Sequence, residues 1–141
     1  MSDTRYEQLT NTEVVRRAHG DVLIAGLGIG MILTRILDKP EVESVTVIEK
    51  YQDVIDLVEP HYRNPKLTVI CADIYDWKPA KGTVFNCIYF DIWADQSTDC
   101  LVDMAKLHQR FKFFLDKRDD KRWMDSWNRD ELKYNKRHRG W

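Results

Sequence analysis

Gly26, Gly28 and Gly30 occupy alternate positions directly behind the apolar run Asp21-Val-Leu-Ile-Ala25. They lead into a segment, Ile29 to Leu37, whose apolar positions fall at helical spacing and which ends at Asp38-Lys39-Pro40. A compact apolar run closed by glycine reads as a buried strand, and a period near 3.6 residues reads as a helix. The unit is therefore strand, glycine turn, helix. Glycine at such a corner permits a tight reversal, lets a ligand approach the backbone and leaves the amides of a helix N-terminus exposed.

The pattern repeats along the chain. Ser44-Val-Thr-Val-Ile48 is a second β-branched run, and Val54, Ile55, Leu57 and Val58 are expected to form one face of a helix before Pro60. Leu67-Thr-Val-Ile-Cys71 and Phe85-Asn-Cys-Ile-Tyr-Phe90 supply third and fourth strands, with Pro79 and Gly82 in the loop between them. Leu101, Met104, His108, Phe111 and Leu115 recur at steps of three or four, which predicts an amphipathic helix over about 98 to 116. Thr10 and Glu13 have the spacing of a capping box and Gly20 that of a stop, so a short helix is expected at about 11 to 19.

Strands that are apolar almost throughout, separated by helices, require a parallel sheet covered on both faces. The expected fold class is α/β, a doubly wound, mainly parallel sheet of about four strands in the order 3-2-1-4, followed by a helical C-terminal tail. The chain has 141 residues, the length of one domain, and 43% hydrophobic residues provide for a core. Within that single domain, 1–20 is the N-terminal helix, 21–95 the βαβ core and 96–141 the tail.

Net charge is -1, which singles out neither nucleic acid nor membrane as a partner. The last 25 residues differ, with nine Lys and Arg against five Asp and Glu, interleaved with Trp123, Trp127, Tyr134 and Trp141. Such a tail could bind nucleic acid, although a solvated helix with tryptophans packed on the core fits the same residues. Cys71, Cys87 and Cys100 have no short spacing, so neither a disulfide framework nor a zinc site is expected, and Cys87 reads as a small buried hydrophobe. His19, His61 and His108 show no ligand spacing, and His108 on the apolar helix face is expected to pack. No apolar run approaches the ~20 residues needed to cross a bilayer, and a cytoplasmic location is expected. A sheet ending at its fourth strand would leave an apolar edge for the tail or a second subunit to cover, hence an expected homo-oligomer.

Polar groups gather where the strands end. Glu49 closes the second strand, Asp73 follows the third and Asp91 ends the fourth, while the strand interiors carry no charge. Ligands of open α/β sheets bind outside the carboxyl ends of the strands, where strand order reverses. A carboxylate at Glu49 could accept both hydroxyls of a ribose, the role of the acidic residue about 20 positions past a dinucleotide turn. Asp73, before Ile74 and Tyr75, also suits the capping of a turn, and Trp77 and Trp93 suit either a pocket wall or the core. The third glycine falls one residue early for a dinucleotide fingerprint, and Met31-Ile32 stands where a P-loop needs Lys and Ser or Thr.

The stretch Val22-Leu-Ile-Ala-Gly-Leu-Gly-Ile-Gly30, with Val42-Glu-Ser-Val-Thr-Val-Ile-Glu49, Ala72-Asp73 and Ile88-Tyr-Phe-Asp91, resembles class I S-adenosylmethionine-dependent methyltransferases, and especially their spermidine synthase-like branch. The resemblance implies a Rossmann-like methyltransferase fold in a short, truncated form, with S-adenosylmethionine as cofactor. It implies cofactor contacts from Gly26, Leu27, Gly28, Gly30, Glu49, Lys50, Asp73, Ile74 and Asp91. Gly26 and Gly28 would approach the methionine part, Glu49 would hold the ribose and Asp73 would receive the adenine amino group. Asp91 would orient or deprotonate an acceptor. Polyamine synthases usually show a D-x-x-D pair at this strand, whereas Asp91 is followed by Ile92, Trp93, Ala94 and Asp95. Methyl transfer to an unspecified acceptor is thus expected ahead of aminopropyl transfer, with a non-catalytic binding module as the remaining alternative.

Overall fold

A computed structural model describes residues 13–27, 31–62, 64–92 and 100–126. Within them lie a helical segment α1 at 13–17, β1 (Gly20–Ala25), α2 (Met31–Leu37), β2 (Val42–Glu49), α3 (Gln52–Val58), β3 (Leu67–Cys71), β4 (Cys87–Phe90), α4 (Cys100–Phe111) and β5 (Trp123–Ser126). The five strands form one sheet in the order β3-β2-β1-β4-β5, and every pair is parallel. The first four strands take the order expected for a doubly wound sheet.

Alternation along the strands divides the core into two layers. Val22 and Ile24 of β1, Val45 and Val47 of β2 and Cys87 and Tyr89 of β4 pack with Val14 and Ala18 of the α1 region, Ile32, Leu33 and Ile36 of α2 and Ile55 of α3. Leu23, Ala25, Ile48, Ile88 and Phe90 face the other way, onto Leu107 and Phe111 of α4. Burying one such Leu, Ile or Phe side chain contributes ~1.5–3 kcal/mol, so both helical layers are held mainly by apolar area. That two-sided burial is what lets the strands be apolar on successive residues.

Two expectations change. The tail contributes a fifth strand where a helical turn was read from the spacing of Trp123 and Trp127; Trp127 lies outside the described residues. Trp123 packs toward the first layer, stacked on Tyr89 with centroids 6.0 Å apart and planes 9° apart, while Met124 packs toward the second. This alternation is a strand's period of two, and it places Trp123–Ser126 along the outer edge of β4. On α3, Ile55 is buried with Val54 and Val58 packed beside it, but Leu57 is 74% exposed. Two helical steps rotate Leu57 about 200° from Ile55, to the solvent side.

Candidate functional site

Reversal of strand order at β1, flanked by β2 and β4, sets a crevice at the carboxyl ends of these strands. Gly26 turns the chain there with φ +105, a conformation that an L side chain rarely adopts. Its amide donates to the Ile48 carbonyl at 2.8 Å, and the Asp91 amide donates to the Ala25 carbonyl at 2.7 Å. A Cβ at Gly26 would lie 2.1 Å from the Asp91 carbonyl oxygen, so the turn passes directly against the end of β4. Gly28 and Gly30 lie outside the described residues, as does Trp93.

Glu49 is only 8% exposed, and its carboxylate is fixed at both ends. Oε1 accepts from the Leu27 amide at 3.0 Å and Oε2 from the Tyr51 amide at 3.0 Å. The side chain thus ties the glycine turn to the residue that opens α3, a helix with no side-chain cap of its own. Sequence reading located Glu49 at the rim but could not reveal these two bonds, because both depend on how β1 and β2 pair.

Asp73 combines two roles. Its Oδ1 accepts from the Tyr75 amide at 3.0 Å and its carbonyl accepts from the Asp76 and Trp77 amides at 2.9 Å, which is turn capping. Its Oδ2 stands 3.7 Å from Lys50 Nζ, across the crevice side of β2 and β3. The Lys50 ammonium also sits 5.6 Å from the centroid of the exposed Tyr51 ring. Ile74 is 4% exposed and belongs to the second core layer, so it supports the Asp73 turn from below. Trp77 is stacked on Phe111 at 6.5 Å, which joins it to the core.

Arg110 on α4 was not singled out from the sequence. Its guanidinium donates to the carbonyls of Ile74, Tyr75 and Trp77, fastening the Asp73 turn to the helix layer. An arginine in the last turn of a helix gives no local sign of a partner more than 30 residues away. His108 packs as expected, 5.5 Å from the Phe90 ring, and its Nε2 is also 2.6 Å from Ser126 Oγ on β5. Cys87, beneath the sheet's opposite end, is 2% exposed, and burial above all pushes its thiol up to about 11. It is a neutral thiol at physiological pH and a poor nucleophile.

Carboxylates dominate this rim, with Glu49, Asp73 and Asp91 set against Lys50. Among the described residues no group of three His, Cys, Asp or Glu is arranged to hold a metal ion. Such a lining suits hydroxyl and amino groups and disfavours phosphates.

The arrangement has the architecture of a Rossmann-like methyltransferase fold, and comparison with solved structures gives the same answer. The chain is similar to the N-methyltransferase NodS from Bradyrhizobium japonicum WM9, at 17% identity and TM-score 0.60, covering 82% of this chain and 66% of that one. It is also similar to an S-adenosylmethionine-dependent methyltransferase from Clostridium acetobutylicum ATCC 824, at 19% identity and TM-score 0.53, covering 81% and 48%. The plantazolicin methyltransferase BpumL, solved in complex with SAH, matches at 18% identity and TM-score 0.55, covering 79% and 41%. The chain thus spans about 41–66% of the length of these neighbours. No protein-family model matches the chain, and no curated protein matches it in sequence. Among the described residues no helix is long and apolar enough to cross a membrane.

Proposed function

We propose that the chain is an S-adenosylmethionine-dependent methyltransferase domain of the spermidine synthase-like kind, with the cofactor's adenosine lying across the carboxyl ends of β1, β2 and β3. Glu49 carries this reading. A carboxylate offers about four lone-pair positions. The Leu27 and Tyr51 amides use one on each oxygen. The remaining two are available to the vicinal hydroxyls of a ribose laid against the glycine turn, and the amide bonds fix the group's direction before any ligand arrives. Asp73, in the turn clamped by Arg110, is placed to accept from an adenine amino group.

The cofactor's sulfonium supplies an activated methyl group. Transfer then needs chiefly an aligned acceptor and a dry site rather than a protein nucleophile. Asp91, half-buried at the end of β4 and locked to β1 through its amide, orients the acceptor or takes its proton. Aminopropyl transfer from the same site is the competing reaction. A binding module without turnover is the competing role. A homo-oligomer and nucleic-acid binding through 117–141 complete the proposed partners, tested by sedimentation at several concentrations and by the salt dependence of oligonucleotide affinity.

Calorimetric titration with S-adenosylmethionine and S-adenosylhomocysteine tests the core of the proposal. Both should bind the wild type, and Glu49→Ala, shown by circular dichroism to be folded, should bind about tenfold or more weakly. No heat with either ligand on the wild type overturns it.

A further inference from the structure

The stretch Asp116-Lys-Arg-Asp-Asp-Lys-Arg122 mixes four cations with three acids, and as a string it is close to neutral. Folding sorts those charges. Asp116 Oδ1 accepts from the Arg118 amide at 3.0 Å and Asp119 Oδ1 from the Lys121 amide at 2.8 Å, so both carboxylates are engaged in shaping the loop. The Asp119 amide donates to the Asp116 carbonyl and the Arg122 amide to the Asp119 carbonyl, which makes two consecutive tight turns. Asp119 also faces inward, with Oδ2 held by Asn86 and His19. Its side chain is 17% exposed and that of Asp116 21%, whereas that of Arg118 is 89% exposed, with only Nε directed at Asp116. Lys117, Lys121 and Arg122 are exposed as well, and among the described residues of this loop Asp120 is the one exposed carboxylate. A stretch that reads as mixed charge therefore presents a cationic outer surface.

That surface is fixed at both ends. The Asp116 amide donates to the Phe85 carbonyl at 2.9 Å and the Trp123 amide to the Asn86 carbonyl at 3.0 Å, which holds the loop where β4 and β5 begin, at the end of the sheet opposite the crevice. Just before it in the chain, Phe113 is 65% exposed, and Lys112 Nζ stands 5.2 Å from its ring centroid. Cations neutralise phosphates, and an exposed aromatic face takes an unpaired base. The planar fork of arginine matches a phosphate's oxygens. An acidic peptide would satisfy the cations but has no base to lay on Phe113.

We infer that 112–122 is a docking surface for single-stranded nucleic acid, with Lys117, Arg118, Lys121 and Arg122 on the phosphates and Phe113 beneath a base. It rests on the nucleic-acid reading given above for 117–141 and narrows it, placing the contact on the fixed loop and Phe113 rather than on the chain beyond Ser126. Standing at the amino ends of the strands, it anchors a bound strand away from the crevice.

Fluorescence anisotropy of a labelled oligodeoxythymidylate of about 12 nucleotides, titrated with the full chain, tests the surface. Lys117→Ala combined with Lys121→Ala should flatten the slope of log affinity against log salt by about 1.4, the weight of two phosphates of a single strand. Phe113→Ala should lower affinity about tenfold and leave that slope unchanged. Both variants should keep the wild-type melting temperature, since the replaced side chains are exposed. Wild-type affinity and slope in both variants overturn the surface, and a loss on replacing Lys133, Lys136 and Arg137 by alanine would then show that the reading of the tail stands without it. An oligoglutamate of equal length bound as tightly as the oligonucleotide overturns the surface in favour of an acidic peptide. A wild type that binds no oligonucleotide overturns the reading of the tail and the surface together.

Discussion

Beneath the sheet, at the end remote from the crevice, one carboxylate joins three segments. Asp119, in the loop before β5, accepts from the Asn86 side-chain amide at 2.9 Å and stands 2.6 Å from His19 Nε2. Asn86 in turn accepts from the Asp21 amide through Oδ1, and its carbonyl accepts from the Trp123 amide. The hydrogen bond from Asn86, then that with His19, holds the Asp119 carboxyl at about 2, below its ordinary 3.8. A carboxyl depressed by folding contributes stability that is fully present above its unfolded value and is lost as pH falls toward the folded one. Acidifying the wild type from pH 4 to pH 2 should therefore weaken it more steeply than Asp119→Asn, as read by urea denaturation across that window. Parallel profiles would show that the tie contributes nothing through its charge. None of these ties was legible in the sequence, since the side chains that meet at Asp119 lie 33 to 100 positions away from it.

At the scale of elements, long periodic segments were readable and short ones were not. α4 and the first four strands appear where apolar spacing puts them, because each has enough residues for a period to show. β5 has four residues, and the sequence spacing of Trp123 and Trp127 mimics a helical turn; only the neighbouring strand β4 decides in favour of extended backbone at Trp123–Ser126. α3 is an intermediate case, a helix found at the right place with one face misjudged. Its seven residues leave the stripe ambiguous by one position, and the sheet selects Val54, Ile55 and Val58 over Leu57. Replacing Ile55 by Ala should cost ~2–4 kcal/mol, since the buried site cannot collapse fully. Leu57→Lys should change stability by no more than ~0.5 kcal/mol, because its side chain already faces water. Thermal or urea melts of the two variants check the assignment, and a large loss from Leu57→Lys would contradict the observed face.

For the molecule as a whole, the rim was legible for a simple reason: the stretches 22–25, 44–48 and 87–90 of β1, β2 and β4 carry no charge, so Glu49, Asp73 and Asp91 stand out at the carboxyl ends. Their arrangement was not legible. The Glu49 bonds to Leu27 and Tyr51, the contact of Gly26 with Asp91, and the Arg110 clamp all arise from strand pairing and from α4 crossing back over the second face. This construction makes the crevice a junction of β1, β2 and β4 rather than the property of one loop. A ligand bound there should therefore stabilise the sheet cooperatively. At S-adenosylhomocysteine concentrations of about 100 times Kd, linkage adds ~2.7 kcal/mol, which for a domain of this size raises Tm by roughly 5–10 °C. Amide hydrogen exchange with and without the ligand should show slowed exchange at Leu27, Tyr51 and Asp91 together, and also along β1, β2 and β4. Protection confined to the glycine turn, with no shift in Tm, would mean that the three strand ends do not act as one site.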